Sequence, residues 1–179
     1  TIYNGLDFTP RIPAKSREEY LQSLGLDWPA DSVIVGITAR LNPVKDIPTL
    51  IRGFALARQS CPQLRLLIAG DGEEMGKLKA LAEELGLAGD ICFAGWITDT
   101  DSFYNAIDIN SLTSLTETFS YSLTEGARFH LPTVASRVGG IPYLIDHGVH
   151  GLLFQARDHE ALARHFTALA QDSELRTHL

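Results

Sequence analysis

The sequence predicts a doubly wound α/β domain, a parallel sheet of about six strands with helices on both faces. Three observations carry that expectation. Residues 33–39 and 64–69 are almost continuously apolar, which is how strands buried on both faces read. Each run is followed by a turn and then by apolar residues at helical spacing, and parallel neighbours need such crossovers, which are right-handed. Arg40, Gly70, Gly95, Glu117 and Gly139 each follow a predicted strand, so the fold would gather them along the one edge where such sheets bind ligands.

Residues 1–13 hold Asn4-Gly5, Pro10 and Pro13 without a sustained period, which is loop chemistry. Ser16 and Glu19 form a capping-box pattern ahead of Tyr20, Leu21 and Leu24, with Gly25 as the stop of a short helix. Strand 33–39 leads to Arg40, and residues 46–60 then carry Ile47, Leu50, Ile51, Phe54 and Ala55 on one helical face. The unit repeats with strand 64–69, the turn Gly70-Asp71-Gly72 and a helix over 73–85 that Gly86 ends. A third strand, 91–94, ends at Gly95; a helix around 102–107 and a fourth strand, 109–113, follow. Residues 118–122 open the next helix, 133–135 form a fifth strand, and Gly139-Gly140 begins a helical turn. Residues 151–154 form a sixth strand, and Asp158 caps a helix carrying Leu162, Phe166 and Leu169.

A chain of 179 residues is long enough for one substantial core. Its formal net charge is -7 and its basic residues are scattered, which argues against a nucleic-acid partner. Cys61 and Cys92 have no ligand-like spacing and read as buried thiols of a reducing cytoplasm. The longest apolar runs fall far short of a bilayer span and no leader-like segment opens the chain, so no transmembrane segment is expected.

Several motifs resolve into plain structure. Gly70-Asp71-Gly72-Glu73-Glu74-Met75-Gly76-Lys77 lacks glycine at Met75 for a dinucleotide fingerprint, and lacks glycine at Asp71 and Ser or Thr at Leu78 for a Walker loop. It reads as a tight turn into a helix. His147, His150 and His159 lie in turn-like sequence or at a helix start, without ligand spacing on one face, so no metal site is read from them. No Gly-x-Ser-x-Gly elbow occurs, which removes the serine-hydrolase signature.

The stretch 114–136 carries the chemistry. Glu117 is borne by a loop and Glu125 by a helix, and Thr118, Phe119, Ser120 and Tyr121 lie at that helix's start, where free N–H groups attract anions. The two acids would repel an anion if they faced it, so they are expected to face neutral groups such as sugar hydroxyls. Arg40 and Lys45 flank another strand-to-helix loop, where a guanidinium fork and an ammonium could neutralise a diphosphate.

With these motifs in place, the chain resembles the C-terminal, donor-binding domain of the family-4 (group 1) retaining glycosyltransferases, whose GT-B architecture pairs two Rossmann-like domains. Arg40-Leu41 with Lys45 is similar to the family's Arg/Lys loop, Ala69-Gly70-Asp71-Gly72 to its second-strand turn, and Glu117 with Glu125 to its paired glutamates. Gly139-Gly140-Ile141-Pro142 and Gly151-Leu152-Leu153 match later landmarks, and Asn4-Gly5-Leu6-Asp7 the segment leading into this domain. The chain departs from the pattern at Thr118-Phe119-Ser120, where Gly-Phe-Gly is usual, at Asp46, where glycine is usual, and at Tyr143, where glutamate is frequent.

The resemblance implies an interdomain segment over 1–15, a sugar-nucleotide-binding domain over 16–179, and an N-terminal acceptor domain that this chain does not contain. It implies that Arg40 and Lys45 bind the leaving nucleotide diphosphate, that Glu117 sits by the donor sugar near its anomeric carbon, and that Glu125 accepts from the ribose hydroxyls. Gly70, Asp71, Gly95, Thr118, Phe119, Ser120 and Tyr121 complete the implied donor-binding set. The implied reaction transfers a hexose-type sugar with retention and uses no cofactor or metal, with UDP-sugars favoured over GDP- or ADP-sugars. The acceptor, a glycan, a lipid-linked molecule or a small molecule, would be met through the other domain, which could also hold the protein at a membrane surface. A stand-alone sugar-nucleotide-binding module without turnover is the alternative. A nicotinamide-dependent oxidoreductase would need the fingerprint this chain lacks.

Overall fold

The computed structural model describes Thr9 and residues 11–179. The expected interdomain segment over 1–15, with its Asn4-Gly5-Leu6-Asp7 motif, falls mostly outside the described residues. The part described forms no strand: Thr9 accepts a hydrogen bond from Arg128 at 3.1 Å, and the Lys15 amide donates to Ser102 Oγ at 3.0 Å.

Six strands pair in parallel: β1 (Val33–Thr38), β2 (Leu64–Ala69), β3 (Ile91–Gly95), β4 (Ile109–Leu112), β5 (Thr133–Ser136) and β6 (Leu152–Phe154). Their order across the sheet is β3-β2-β1-β4-β5-β6, a doubly wound order that agrees with the Rossmann-like class expected of the sequence. Side chains of β1 alternate between two cores. Val33, Val35 and Ile37 pack with Leu50, Phe54, Leu66, Leu162 and Phe166, under α2 (Ile47–Ser60), α3 (Met75–Glu84) and α6 (His159–Gln171). Ile34 instead packs with Tyr20, Leu67, Phe103 and Ile107, under α1 (Arg17–Ser23) and α4 (Thr100–Ala106). This two-sided burial produces the unbroken apolar run, because an alternating strand would leave one face in water. A third cluster, Leu112, Leu123, Ala135, Ile141 and Leu153, seats α5 (Tyr121–Arg128) beside β4 and β5.

The helix ends follow local chemistry. Both halves of the Ser16/Glu19 capping box form, at 2.8 and 3.2 Å. The helix expected from residue 46 starts at Ile47, after a 3-10 turn (Pro43–Lys45) that Asp46 closes in the left-handed region at φ 47°. The helix expected around 102 starts at Thr100, because Asp99 caps it by accepting from the Ser102 amide at 3.1 Å. A short α7 (Ser173–His178), capped by Asp172, was not among the expected elements. No helix among the described residues is long and apolar enough to cross a membrane.

Beyond β6, two histidines occupy a backbone pair that a further strand would otherwise take. The Leu153 amide donates to His147 Nδ1 at 2.9 Å, and His165 Nε2 donates to the Leu153 carbonyl at 3.2 Å. Burial lowers the His165 pKa below its ordinary value, with His147 and Arg164 acting in the same direction and the Leu153 carbonyl and Asp158 opposing. A histidine that charges less readily when folded leaves its stability intact above the unfolded pKa of about 6.5, and that stability is lost as pH falls below it. Thermal unfolding followed by circular dichroism should show Tm falling from about pH 7 toward pH 5, with a shallower fall in His165→Gln. An equally steep fall in the variant would contradict this assignment.

Candidate functional site

The sheet changes winding direction between β1 and β4. Their ladder pairs only Val35 with Ile109 and Gly36 with Asn110, and the carboxyl ends of the two strands lead into different loops, the position where sheets of this class bind ligands. Those loops are nevertheless tied together. The Leu115 amide donates to the Val44 carbonyl at 2.8 Å, and Thr113 Oγ1 donates to the Lys45 carbonyl at 2.8 Å. Asn42 caps the 3-10 turn by accepting from the Lys45 amide at 3.3 Å, which sets where the lysine leaves the backbone.

Lys45 and Glu117, seventy-two positions apart, meet across this junction, with Nζ 2.7 Å from Oε2. Their side chains are 25% and 13% exposed, so the pair is largely withdrawn from water while Lys45 keeps two further N–H donors. Ser114 Oγ donates to the same Oε2 at 3.1 Å, and Ser136 Oγ donates to the Ser114 carbonyl at 2.6 Å. The loop after β5 closes the arrangement. The Gly140 amide donates to the Glu117 carbonyl at 2.9 Å, and a Cβ on Gly139 would lie 1.9 Å from that same oxygen. Gly139 also sits at φ 51°, so glycine is required twice over.

The other residues singled out in the sequence have varied places. Arg40 is exposed just after β1 and makes no ion pair among the described residues. Gly70, Asp71 and Gly72 press against its loop: the Leu41 amide donates to the Asp71 carbonyl at 2.9 Å, and a Cβ on Gly70 would meet the Ala39 carbonyl oxygen at 1.8 Å. Close backbone packing therefore accounts for this turn, and the Asp71 carboxylate accepts from the Gly72 amide at 2.7 Å. Gly95 is tied to the turn through its carbonyl, which accepts from the Gly70 amide at 2.7 Å, and the neighbouring Trp96 is 79% exposed. Thr118 is exposed, and Phe119 meets Tyr121 edge-on at 5.3 Å. Ser120 is buried as the cap of α5, accepting from the Leu123 amide at 3.3 Å.

Glu125 lies one turn into α5. Its charge acts on Tyr104, whose hydroxyl pairs with Thr38 Oγ1 at 2.7 Å and donates to the Ser122 carbonyl at 3.4 Å. Burial is the main reason the Tyr104 pKa is raised; Glu125 adds to it and the Thr38 bond opposes it. Sequence reasoning named Lys45 and Glu117 without pairing them, and it missed Ser114, Ser136, Thr38 and Tyr104. The only available signal was a run of small hydroxyl residues at strand ends, which also fits turn chemistry. Among the described residues no group of three or more His, Cys, Asp or Glu could hold a metal ion.

The family model for glycosyl transferases group 1 matches residues 18–179. The chain is 36% identical over 154 residues to the lipopolysaccharide core biosynthesis glycosyltransferase LpsE of Rhizobium meliloti, covering 86% of this chain and 44% of that protein. It is 33% identical over 181 residues to a D-inositol 3-phosphate glycosyltransferase of Corynebacterium jeikeium, covering 94% and 42%. The crystal structure of HepE from Anabaena, in complex with UDP and glucose, superposes with a TM-score of 0.88 at 28% identity, covering 99% of this chain and 48% of that one. The chain thus spans less than half the length of each of these proteins.

The Gly139 contact can be tested directly. Gly139→Ala should destabilise the domain by more than about 1 kcal/mol in urea unfolding, because both its φ and its approach to Glu117 exclude a side chain. Gly76→Ala is the control: a Cβ there meets nothing within 4 Å, and in α3 the change should be neutral or stabilising. Equal effects at the two positions would contradict the packing described.

Proposed function

This chain belongs to the group 1 glycosyl transferases, and we propose that its described domain binds the sugar-nucleotide donor of a retaining hexosyltransferase. On this reading residues 16–179 hold the donor at the β1/β4 junction, and an upstream domain presents the acceptor. The observation that carries it is the meeting of Lys45 and Glu117 where the sheet changes winding direction, which places a cation and a carboxylate side by side at the expected ligand crevice.

Each proposed role follows from donor and acceptor chemistry. Arg40 and the remaining N–H donors of Lys45 hold the diphosphate. When the bond between the anomeric carbon and the diphosphate oxygen breaks, its electron pair goes to that oxygen, where the two cations stabilise the charge. The acceptor hydroxyl oxygen forms the new bond to the anomeric carbon and gives up its proton. Glu117 stands by the donor sugar, and the α5 start, from Thr118 to Tyr121, flanks the phosphates with its amides. Glu125 accepts from the ribose hydroxyls, while Gly70, Asp71 and Gly95 shape the adjoining wall. A UDP-sugar is favoured because the similar HepE structure contains UDP and glucose. The names of the relatives support a glycan, lipid-linked or small-molecule acceptor. A cytoplasmic location, with membrane contact through the upstream domain, suits such a role.

Calorimetric titration tests the donor site. Arg40→Ala with Lys45→Ala should weaken UDP binding strongly, since a hydrogen bond to a charged group contributes about 1.5–3 kcal/mol, and should leave uridine binding nearly unchanged. Equal losses for both ligands would contradict the assignment. Glu125→Gln should weaken both ligands, because the ribose is common to them. Sugar transfer by a protein that includes the upstream sequence, but not by this chain alone, is the expected turnover result; no transfer by either across a broad acceptor panel would favour the non-catalytic module.

A further inference from the structure

Both hydrogen bonds to the Glu117 carboxylate fall on Oε2, from Lys45 Nζ at 2.7 Å and from Ser114 Oγ at 3.1 Å. Among the described residues none falls on Oε1. Ser114 is itself fixed, because its carbonyl accepts from Ser136 Oγ at 2.6 Å, and both serines are fully buried. Ser136 ends β5 and Ser114 follows β4, and the pairing of Leu112 with Ala135 holds those strand ends in register. The carboxylate is thereby anchored from two directions. The Lys45 side runs along the chain through the 3-10 turn to β1 and is tied to the end of β4 by the Thr113 bond, while the Ser114 side runs into the sheet through Ser136 and β5.

We propose that Ser114, held by Ser136, is a positioning residue that commits Glu117 Oε2 to the protein and leaves Oε1 as the oxygen presented to the donor sugar. The proposal rests on the donor-site reading above and assigns a duty to two residues that reading does not use. A glutamate on a loop has three side-chain torsions to fix, and one ammonium contact leaves the carboxylate free to turn about its own axis. A second donor on the same oxygen removes that freedom. A transferable sugar needs its carboxylate partner in one orientation, since small misplacements of reacting groups cost rate far more than affinity.

The test has an arm that does not depend on turnover. A crystal structure of Ser114→Ala should show the Glu117 carboxylate turned or divided between conformers; a single conformer keeping both the Lys45 contact and the original carboxylate plane would overturn the proposal. The kinetic arm uses the protein with its upstream sequence. Ser114→Ala should lower kcat by about tenfold to a hundredfold while donor KM and UDP affinity stay within about twofold. In a double-mutant cycle, Ser114→Ala should add little to the loss already caused by Glu117→Gln, because it acts through that carboxylate. Parallel losses in UDP affinity and kcat, or additive effects in the cycle, would mean that Ser114 only supports the fold, and would overturn the proposal. If the unaltered protein transfers no sugar, the transferase part of that reading fails, and the crystal structure still decides whether Ser114 orients Glu117.

Discussion

The ion pair between Lys45 and Glu117 is the contact on which the candidate site depends. It joins two loops that leave adjacent strands for different parts of the molecule, and it forms only because β1 and β4 are neighbours. A surface pair of this kind would contribute little, since solvent screens it and two long side chains must be immobilised. Here both side chains are largely withdrawn from water, and the backbone bond from Leu115 to Val44 and the Thr113 hydroxyl bond to the Lys45 carbonyl hold the loops in register. The geometry is therefore built by the main chain and by small hydroxyls, and the two charges are set into it.

The glycines serve the same end by letting loops stack. The turn at Gly70 presses on the loop that carries Arg40, and Gly139 presses on the carbonyl of Glu117. Such contacts leave no room for a Cβ, so the carboxyl edge of the sheet is a layer of mutually supporting loops. Glycine-rich turns in α/β proteins are often read as phosphate cradles. In this chain the turn after β2 is explained by loop packing, and the proposed phosphate contacts fall to Arg40, Lys45 and the start of α5.

Much of the fold was legible because burial on both faces writes strands as unbroken apolar runs, as in β1 and β2, and because Ser16 and Asp158 are efficient caps. The errors lie where local patterns are silent. The six-residue α7 has no buried residue to give it a period, and the left-handed Asp46 that starts α2 one residue late has no side-chain cap bond. The site was legible as a set of residues but not as an arrangement. Lys45 and Glu117 could be named singly, yet their contact depends on strand order, which no local pattern encodes. Ser114 and Ser136 were missed because a serine at a strand end looks the same whether it turns the chain or holds a carboxylate.

The central claim is that the β1/β4 crevice, organised by Lys45 and Glu117, is where the nucleotide binds. Amide shift mapping of the isotope-labelled chain titrated with UDP tests it most directly. The account expects saturable shifts concentrated in residues 39–46 and 113–125, spreading to Gly70 and Gly95 through their shared backbone contact. Saturable shifts centred instead on the cavity of about 530 Å³ between Leu26, Trp28, Ala82 and Cys92, or the absence of any saturable shift, would contradict it.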